Sequence, residues 1–266
     1  MAFLDEFRQF MAANGLEDRH CFVPVPVAAS SPEAARAARI ALQPQAGRAM
    51  FIAEDRWRAA GALMRSRVLS HAGRFRQVYA RNCAVRRIDR GLASQFLEQN
   101  HTYGDALSRF RYGLFVEKVT GEKGLLAFDD GSQKDYPGPL PGDLVAVATF
   151  SKARGRVVDG ERVRSFEWVR YASLPGVRVV GGMGKLLSSF ISEVGPEDVM
   201  TYADLEWSDG GVYRDLGFRC EGPRESVMFA VDPLTWKRTP VKYVPDTSGM
   251  LFFENFGSLK YRLKLK

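Results

Sequence analysis

Three consecutive patterns constrain the fold most: Arg164-Ser-Phe-Glu-Trp-Val-Arg-Tyr-Ala-Ser173, Arg178-Val-Val-Gly-Gly-Met-Gly-Lys-Leu-Leu187 and Val199-Met-Thr-Tyr-Ala-Asp-Leu-Glu-Trp207. The outer two are strand-like, and the middle one is a glycine-rich turn feeding a helix over 182–194. A helix joining two strands returns the chain in the same direction, so strands 164–173 and 199–206 are expected parallel and adjacent in one sheet. Gly181, Gly182 and Gly184 allow backbone N–H groups to converge at a helix start, where partial positive charge collects and phosphate is well seated. The spacing is not G-x-x-x-x-G-K-[ST], and no acidic residue stands at the distance needed for a ribose contact. A turn serving only the fold is the alternative reading of these glycines.

The sequence before and after this unit extends the sheet. Leu4 to Ala13 reads as a short helix interrupted by Gly15 and by Pro24 and Pro26. Ser31-Pro-Glu-Ala34 starts another, with serine as cap, proline at the first helical position and glutamate in the first turn. Pro44 to Gly47 ends it. Trp57, Ala60, Leu63, Met64 and Val68 recur at helical spacing over 55–69. Cys83, Val85 and Ile88 mark a strand, and Asp89 caps a helix running to about Gln99. Strands are expected at 112–119 and 144–150, separated by a turn-rich, hairpin-like excursion over Thr120 to Gly142. A short helix near 208–216, strands at 218–222 and 226–231, and a crossing loop over 240–249 follow. The tail strands 250–253 and 258–265 are expected to pair with each other. The whole is a mixed α/β (α+β) sheet covered by helices, with a mainly helical region 1–78, a main domain 79–235 and an extension 236–266.

The 45% apolar and 12% aromatic content of the 266 residues excludes a disordered chain and is enough for a substantial core. Cys21, Cys83 and Cys220 form no C-x-x-C unit, so neither a disulfide framework nor a zinc site is implied, and Cys83 and Cys220 are read as buried thiols. No secretory pattern or membrane-length apolar run is present, which leads to the expectation of a cytoplasmic protein with no membrane partner. The formal charge is +7. Much of the excess base lies between Arg48 and Arg90, a pattern that suits a nucleic-acid backbone, another polyanion or ordinary solvated surface. Glu54-Asp55 lacks a D…E-x-K partner set, which argues against a nuclease.

The spacing R-x-x-G-G-x-G resembles the pyrophosphate loop of the Gcn5-related N-acetyltransferases (GNAT). The resemblance implies that Arg178, Val180, Gly181, Gly182, Gly184 and Lys185 hold acetyl-CoA or another acyl-CoA, without a metal. Surface solvation is the competing account of Lys185. Tyr213 stands a few residues ahead of Leu216-Gly-Phe218, where the family places a general acid for the coenzyme thiol; a merely packed aromatic is the alternative. Asn100-His-Thr-Tyr-Gly104, Thr149-Phe-Ser-Lys-Ala153, Glu167-Trp-Val-Arg170, Val180-Gly-Gly182 and Tyr202-Ala-Asp-Leu-Glu-Trp-Ser208 occur in an order similar to the phage-encoded Mom-like branch. That resemblance spans 79–230 and implies a DNA base as one class of acceptor. It places Asp204 and His101 with Tyr213 as catalytic candidates, and Ser151, Glu167, Arg170, Tyr202 and Ser208 on the acceptor side. Asp204 reads equally well as a cap for the following turn, and Glu167 and Arg170 share an approach only if a bulge interrupts their strand. The implied activity is acyl-CoA-dependent N-acyl transfer to a small molecule, a protein or a nucleic-acid base. A non-enzymatic nucleic-acid-binding protein using the basic N-terminal region is the reading from another class.

Overall fold

The structure is a computed structural model and describes residues 2–119, 138–158 and 160–265. Most of the expected excursion over Thr120 to Gly142 therefore lies outside the described residues. By contact density the chain divides into two compact units, Met1–Met64 with Tyr202–Tyr261 and Arg65–Thr201 with Arg262–Lys266. The expected boundaries of 1–78, 79–235 and 236–266 are drawn differently, because residues 1–64 share a core with residues from 202–261.

The chain begins with α1 (Phe3–Ala13), β1 (Phe22–Val25), α2 (Pro32–Leu42), β2 (Met50–Ala53) and α3 (Glu54–Ala59). In α1, Phe3, Phe7, Phe10 and Met11 form one buried stripe. The rings of Phe7 and Phe10 meet Trp57 of α3 edge-on at 5.5 and 5.3 Å. Ser31 caps α2 as expected, its hydroxyl accepting from the Ala34 N–H at 3.3 Å. The first region is less helical than its sequence suggests, since β1 and β2 pair in parallel. The single helix expected over 55–69 is two, because Ala60 leaves helical geometry (φ −138°, ψ 45°) just ahead of Gly61, a residue that propagates helix poorly.

Next come α4 (Gly61–His71), β3 (Arg76–Tyr79), β4 (Cys83–Arg87), α5 (Arg90–Asn100), β5 (Phe110–Val116), β6 (Leu144–Phe150), β7 (Arg154–Val158), β8 (Glu161–Ser173), β9 (Val177–Val180), α6 (Gly182–Val194) and β10 (Asp198–Asp204). Asp89 caps α5 as expected, accepting from the Leu92 N–H at 2.8 Å. In the second unit the strand order is β4-β5-β6-β8-β10, with β7 also pairing with β8. Neighbours are antiparallel except β8 and β10, which pair in parallel from Ser165↔Asp198 to Glu167↔Met200. The parallel, adjacent pair predicted from the glycine-turn pattern is therefore present. Ala93, Phe96 and Leu97 of α5 pack on Val147 and Ala172 on one sheet face. On the other face, Phe190 of α6 stacks on Phe150 at 3.9 Å and meets Phe110 and Phe166 edge-on. Helices on both faces explain why Val145 to Ala148 and Phe150 are all fully buried. Arg262 donates to Asp198 at 2.7 Å inside this unit, and Ser165 donates to the same carboxylate oxygen.

The last stretch holds α7 (Gly211–Asp215), β11 (Arg219–Arg224), β12 (Met228–Val231), β13 (Arg238–Pro240), β14 (Leu251–Glu254) and β15 (Ser258–Lys264). The expected tail hairpin does not form: β14 pairs with β12 in a β13-β12-β14 sheet, whereas β15 lies beside β11. The turn between them redirects the chain. Asn255 Oδ1 accepts from the N–H groups of Val227 and Gly257, and Gly257 takes φ 75°. The core of the first unit collects Val25, Phe51, Ala53, Leu205, Phe229, Val231, Phe253 and Phe256. Of the cysteines, Cys83 is buried as expected, but Cys220 is exposed, since β11 presents it outward.

Candidate functional site

The glycine turn is built from both sides. Upstream, β9 is held in parallel register against β3, from Arg76↔Val177 to Tyr79↔Val180. Gly181 then adopts φ 76°, a left-handed conformation that residues with a side chain rarely take, and serves as the N-cap of α6. The first helical bond runs from the Lys185 N–H to the Gly181 carbonyl at 3.0 Å. Helix geometry leaves the amides of Gly182, Met183 and Gly184 without intrahelical acceptors, and the helix dipole adds positive potential there. The glycine turn expected at the start of this helix is therefore present.

The side chains around it have more specific duties. Gly182 is buried, and a Cβ there would stand 2.8 Å from Val179 Cγ1 and 3.3 Å from the Tyr171 hydroxyl. Its glycine is thus required by internal packing, whatever occupies the turn. Lys185 does not simply project a charge: its Nζ donates to the carbonyls of Ala80 at 3.0 Å and Cys83 at 2.5 Å. Two of its three donors therefore fix the segment leading into β4. Arg178 is exposed on β9, its guanidinium 5.1 Å from the Phe75 ring centroid, and Val180 is exposed beside the turn.

On β8 the bulge anticipated for the approach of Glu167 and Arg170 is present. Thr149 pairs with Arg170 but Phe150 pairs with Trp168, leaving Val169 as the extra residue. Pairing between β8 and β10 stops at Glu167↔Met200, and beyond it the Thr201 hydroxyl donates to the Trp168 carbonyl at 3.2 Å. Ser151 braces the bulge, its hydroxyl accepting from the Glu167 N–H at 2.9 Å and donating to the Lys152 carbonyl. Arg170 donates to the carbonyls of Gly104 at 3.1 Å and Val169 at 2.9 Å. Burial pulls its guanidinium below the usual value, against the nearby Tyr103, Glu167, Asp105 and Glu98. His101 ends α5, and its Nδ1 accepts from the Tyr103 N–H at 3.1 Å. The second unit thus gathers His101, Gly104, Glu167 and Arg170 around the β8 bulge.

The remaining candidates belong to the first unit. Asp204 Oδ1 accepts from the Glu206 N–H at 3.0 Å, and its carbonyl accepts from Trp207 and Ser208, so it shapes the following turn. Arg56 stands 3.8 Å from Asp204 Oδ2. The Ser208 hydroxyl accepts from the Gly210 N–H at 2.9 Å, and Tyr202 is exposed. Tyr213 is half-buried, its ring 5.6 Å from Tyr261 and 5.7 Å from Phe218. A feature the sequence did not disclose is the enclosed charge cluster of the same unit. Arg238 bonds Asp55 at 2.6 Å and Glu206 at 3.0 Å, while Arg56 lies 3.6 Å from Glu206. Burial raises the Glu206 carboxyl despite both guanidiniums.

The basic run between Arg48 and Arg90 is not a uniform solvent-facing strip. Arg56 is buried, Arg58 pairs with Glu6 at 2.7 Å, Arg67 donates to Thr102, and Arg87 pairs with Glu193 at 3.0 Å. Among the described residues, no cluster of three or more His, Cys, Asp or Glu side chains is placed to hold a metal, and no helix is long and apolar enough to cross a membrane.

No protein-family model matches the chain, and neither does any curated protein. Two solved structures are similar in part. One is the spermidine/spermine N-acetyltransferase SpeG from Vibrio cholerae in complex with manganese ions, at 8% identity over 70% of this chain and 94% of that one, with a TM-score of 0.36. The other is the histone acetyltransferase HPA2 and related acetyltransferase from Corynebacterium glutamicum, at 13% identity over 84% of this chain and 90% of that one, with a TM-score of 0.31. Likeness at this level assigns neither a residue role nor a substrate.

Proposed function

We propose that the chain is an acyl-CoA-dependent N-acyltransferase whose coenzyme diphosphate sits on the first turn of α6. The observation that carries this reading is the left-handed Gly181 turn, which opens a 13-residue helix between a locked β9 and the parallel strand β10. Its free amides suit a diphosphate, and Arg178 adds a guanidinium three residues ahead of the turn. Acyl transfer also needs backbone access beside the thioester and polar groups near the amine. The early end of β8–β10 pairing and the bulge at Val169 provide the first, and His101, Glu167 and Arg170 are candidates for the second. Tyr213 is the proposed proton donor to the departing thiolate and Asp204 the proposed base. Tyr202, Ser208 and Ser151 are proposed to support the acceptor.

Calorimetric titration of the full chain with acetyl-CoA tests the seat. Saturable binding is expected, and pantetheine, which lacks the diphosphate, should bind at least about tenfold more weakly, as loss of charge-assisted bonds predicts. Arg178→Ala should weaken acetyl-CoA without altering pantetheine. Absence of acetyl-CoA binding at millimolar concentration would remove the reading. Thiol release measured with an amine acceptor then tests the chemistry: Tyr213→Phe should slow turnover far more than it weakens acetyl-CoA. Nucleoside mass spectrometry of DNA from expressing cells decides whether a base is the acceptor, a new adenine adduct being the positive result.

A further inference from the structure

A cavity of about 310 Å³ opens in the second unit between the outer side of α5 and the segment leading into β5. Arg90, Ser94 and Glu98 line it from α5, spaced four residues apart and hence on one helix face. Asp105 and Arg111 line it from the other side. None of these five residues has a role in the coenzyme seat. Glu98 is drawn in by the chain itself: its Oε1 accepts from the Asp105 N–H at 2.9 Å, and a Cβ on Gly104 (φ 61°) would lie 2.6 Å from its Oε2.

The polar groups here are incompletely matched. Among the described residues, Asp105 Oδ1, Ser108 Oγ, Arg111 Nε and Thr149 Oγ1 are all buried without a hydrogen-bond partner. Thr149 is fully buried and Ser108 is 7% exposed. Folded chains seldom leave such atoms unpaired, and two of the four belong to Asp105 and Arg111, which line the cavity. Sheet register explains their convergence. Arg111 on β5 pairs with Thr149 on β6, which pairs with Arg170 on β8. Directly paired residues project to the same face, so Arg111, Thr149 and Arg170 form one row on the α5 side, where Arg111 donates to the Ser108 carbonyl and Arg170 to the Gly104 carbonyl. Asp105 and Glu98 place carboxylates beside that row.

Arg111 and Asp105 bring opposite charges to the lining of one cavity, an arrangement that suits a ligand carrying both. We infer that this cavity binds a small α-amino carboxylate, its carboxylate directed to Arg111 and its ammonium to Asp105. Resting on the acyltransferase reading, the amine of that ligand is the acyl acceptor. After shedding one proton, the nitrogen attacks the thioester carbonyl. The C–N bond forms as the C–S bond breaks, the nitrogen gives up a second proton, and the thiolate takes one up to leave as the thiol. One net proton passes to solvent.

The test titrates each of the twenty L-amino acids singly into the full chain, with and without acetyl-CoA. At least one should bind saturably. Its N-acetyl derivative, which lacks the ammonium, and its methyl ester, which lacks the carboxylate, should each lose about tenfold or more in affinity, as expected for a lost hydrogen bond to a charged group. Asp105→Asn and Arg111→Gln should produce losses of the same size while acetyl-CoA still binds. The ligand derivatives keep the test valid should either variant fold poorly. Absence of binding by all twenty at millimolar concentration, leaving water as the occupant, overturns the inference. So does binding that is indifferent to both derivatives. Amino-acid binding with no acyl transfer from acetyl-CoA would keep the site and discard its amine as the acceptor, whereas only absence of acetyl-CoA binding discards the acyltransferase reading.

Discussion

Lys185 and Gly182 show how a residue beside a candidate ligand seat can be committed to the fold first. Lys185 spends two donors on the Ala80 and Cys83 carbonyls. Lys185→Met keeps the aliphatic stem but strands both acceptors, so it should cost about 1–3 kcal/mol of stability, the usual penalty for orphaned buried groups. Acetyl-CoA affinity should fall little once binding is measured below the melting range. Denaturant titration paired with calorimetry checks both halves, and a large affinity loss with unchanged stability would restore Lys185 to the diphosphate. Gly182 has a sharper internal test. A methyl group there meets Val179 at 2.8 Å, so Gly182→Ala should destabilise the fold by about 1–3 kcal/mol through overpacking. Adding Val179→Ala should recover part of that loss, because it removes the Cγ1 contact and leaves the Cβ at 3.0 Å. Failure of the second substitution to rescue would mean that the glycine is required for a reason other than the Val179 contact. The glycine turn itself was legible in the sequence because its requirement is local, a positive φ ahead of a helix. The lysine's acceptors were not, since they lie about a hundred residues away in sequence and only the fold joins them.

At the scale of elements, local signals were read correctly where the deciding contacts are close in sequence. The caps at Ser31 and Asp89 and the helix at 182–194 are of this kind. Pairings set by distant partners were not legible. Pro24 in β1 and the short β3 and β9 lack a strong alternating pattern, yet each finds a parallel partner. The bulge at Val169 and the Arg111–Thr149–Arg170 row likewise depend on register, which a single strand does not encode. The docking of α2 onto β14 gives an element-scale prediction. Glu254 accepts from Arg39 at 2.9 Å and from the Ser226 hydroxyl at 2.9 Å, with Arg36 at 3.6 Å. Burial alone would raise this carboxyl, but Arg39, Ser226 and Arg36 outweigh it and leave it below its ordinary 4.5. Because the folded value is depressed, the stabilisation is fully present above the unfolded value and is lost as pH falls through the folded one. Thermal melts of the parent should therefore show a decline below pH 4.5 that Glu254→Gln reduces, with the variant already less stable near neutrality. Parallel pH curves for the two proteins would show that the ion pair does not titrate as its contacts require.

Across the molecule, sequence-distant segments of the first unit are joined by an enclosed charge cluster as well as by apolar packing. Arg238, on β13, is 9% exposed at its side chain and reaches both Asp55 on α3 and Glu206 after β10, whose side chains are 1% and 0% exposed. Its guanidinium also lies 4.3 Å from the Phe253 ring centroid, at the edge of the apolar core. A planar cation with five donors fits two carboxylates and an aromatic face at once, which an ammonium does not. Removing the cation does not merely delete these contacts. Asp55 and Glu206 would remain buried without the guanidinium that joins them, Glu206 keeping Arg56 at 3.6 Å. Arg238→Ala should therefore destabilise by about 3–5 kcal/mol, the range for breaking a buried ion pair from one side. Arg238→Lys should recover only part, because one ammonium cannot reproduce the forked contact. The triple replacement Asp55→Asn, Glu206→Gln, Arg238→Met removes Arg238 together with its two carboxylates and leaves Arg56 to Asp204 at 3.8 Å, so it should be less damaging than Arg238→Ala alone, since uncompensated charge is the dominant cost. Urea midpoints of the three variants order these expectations. A triple variant as unstable as the single alanine would locate the stabilisation in hydrogen-bond geometry and packing instead of charge balance.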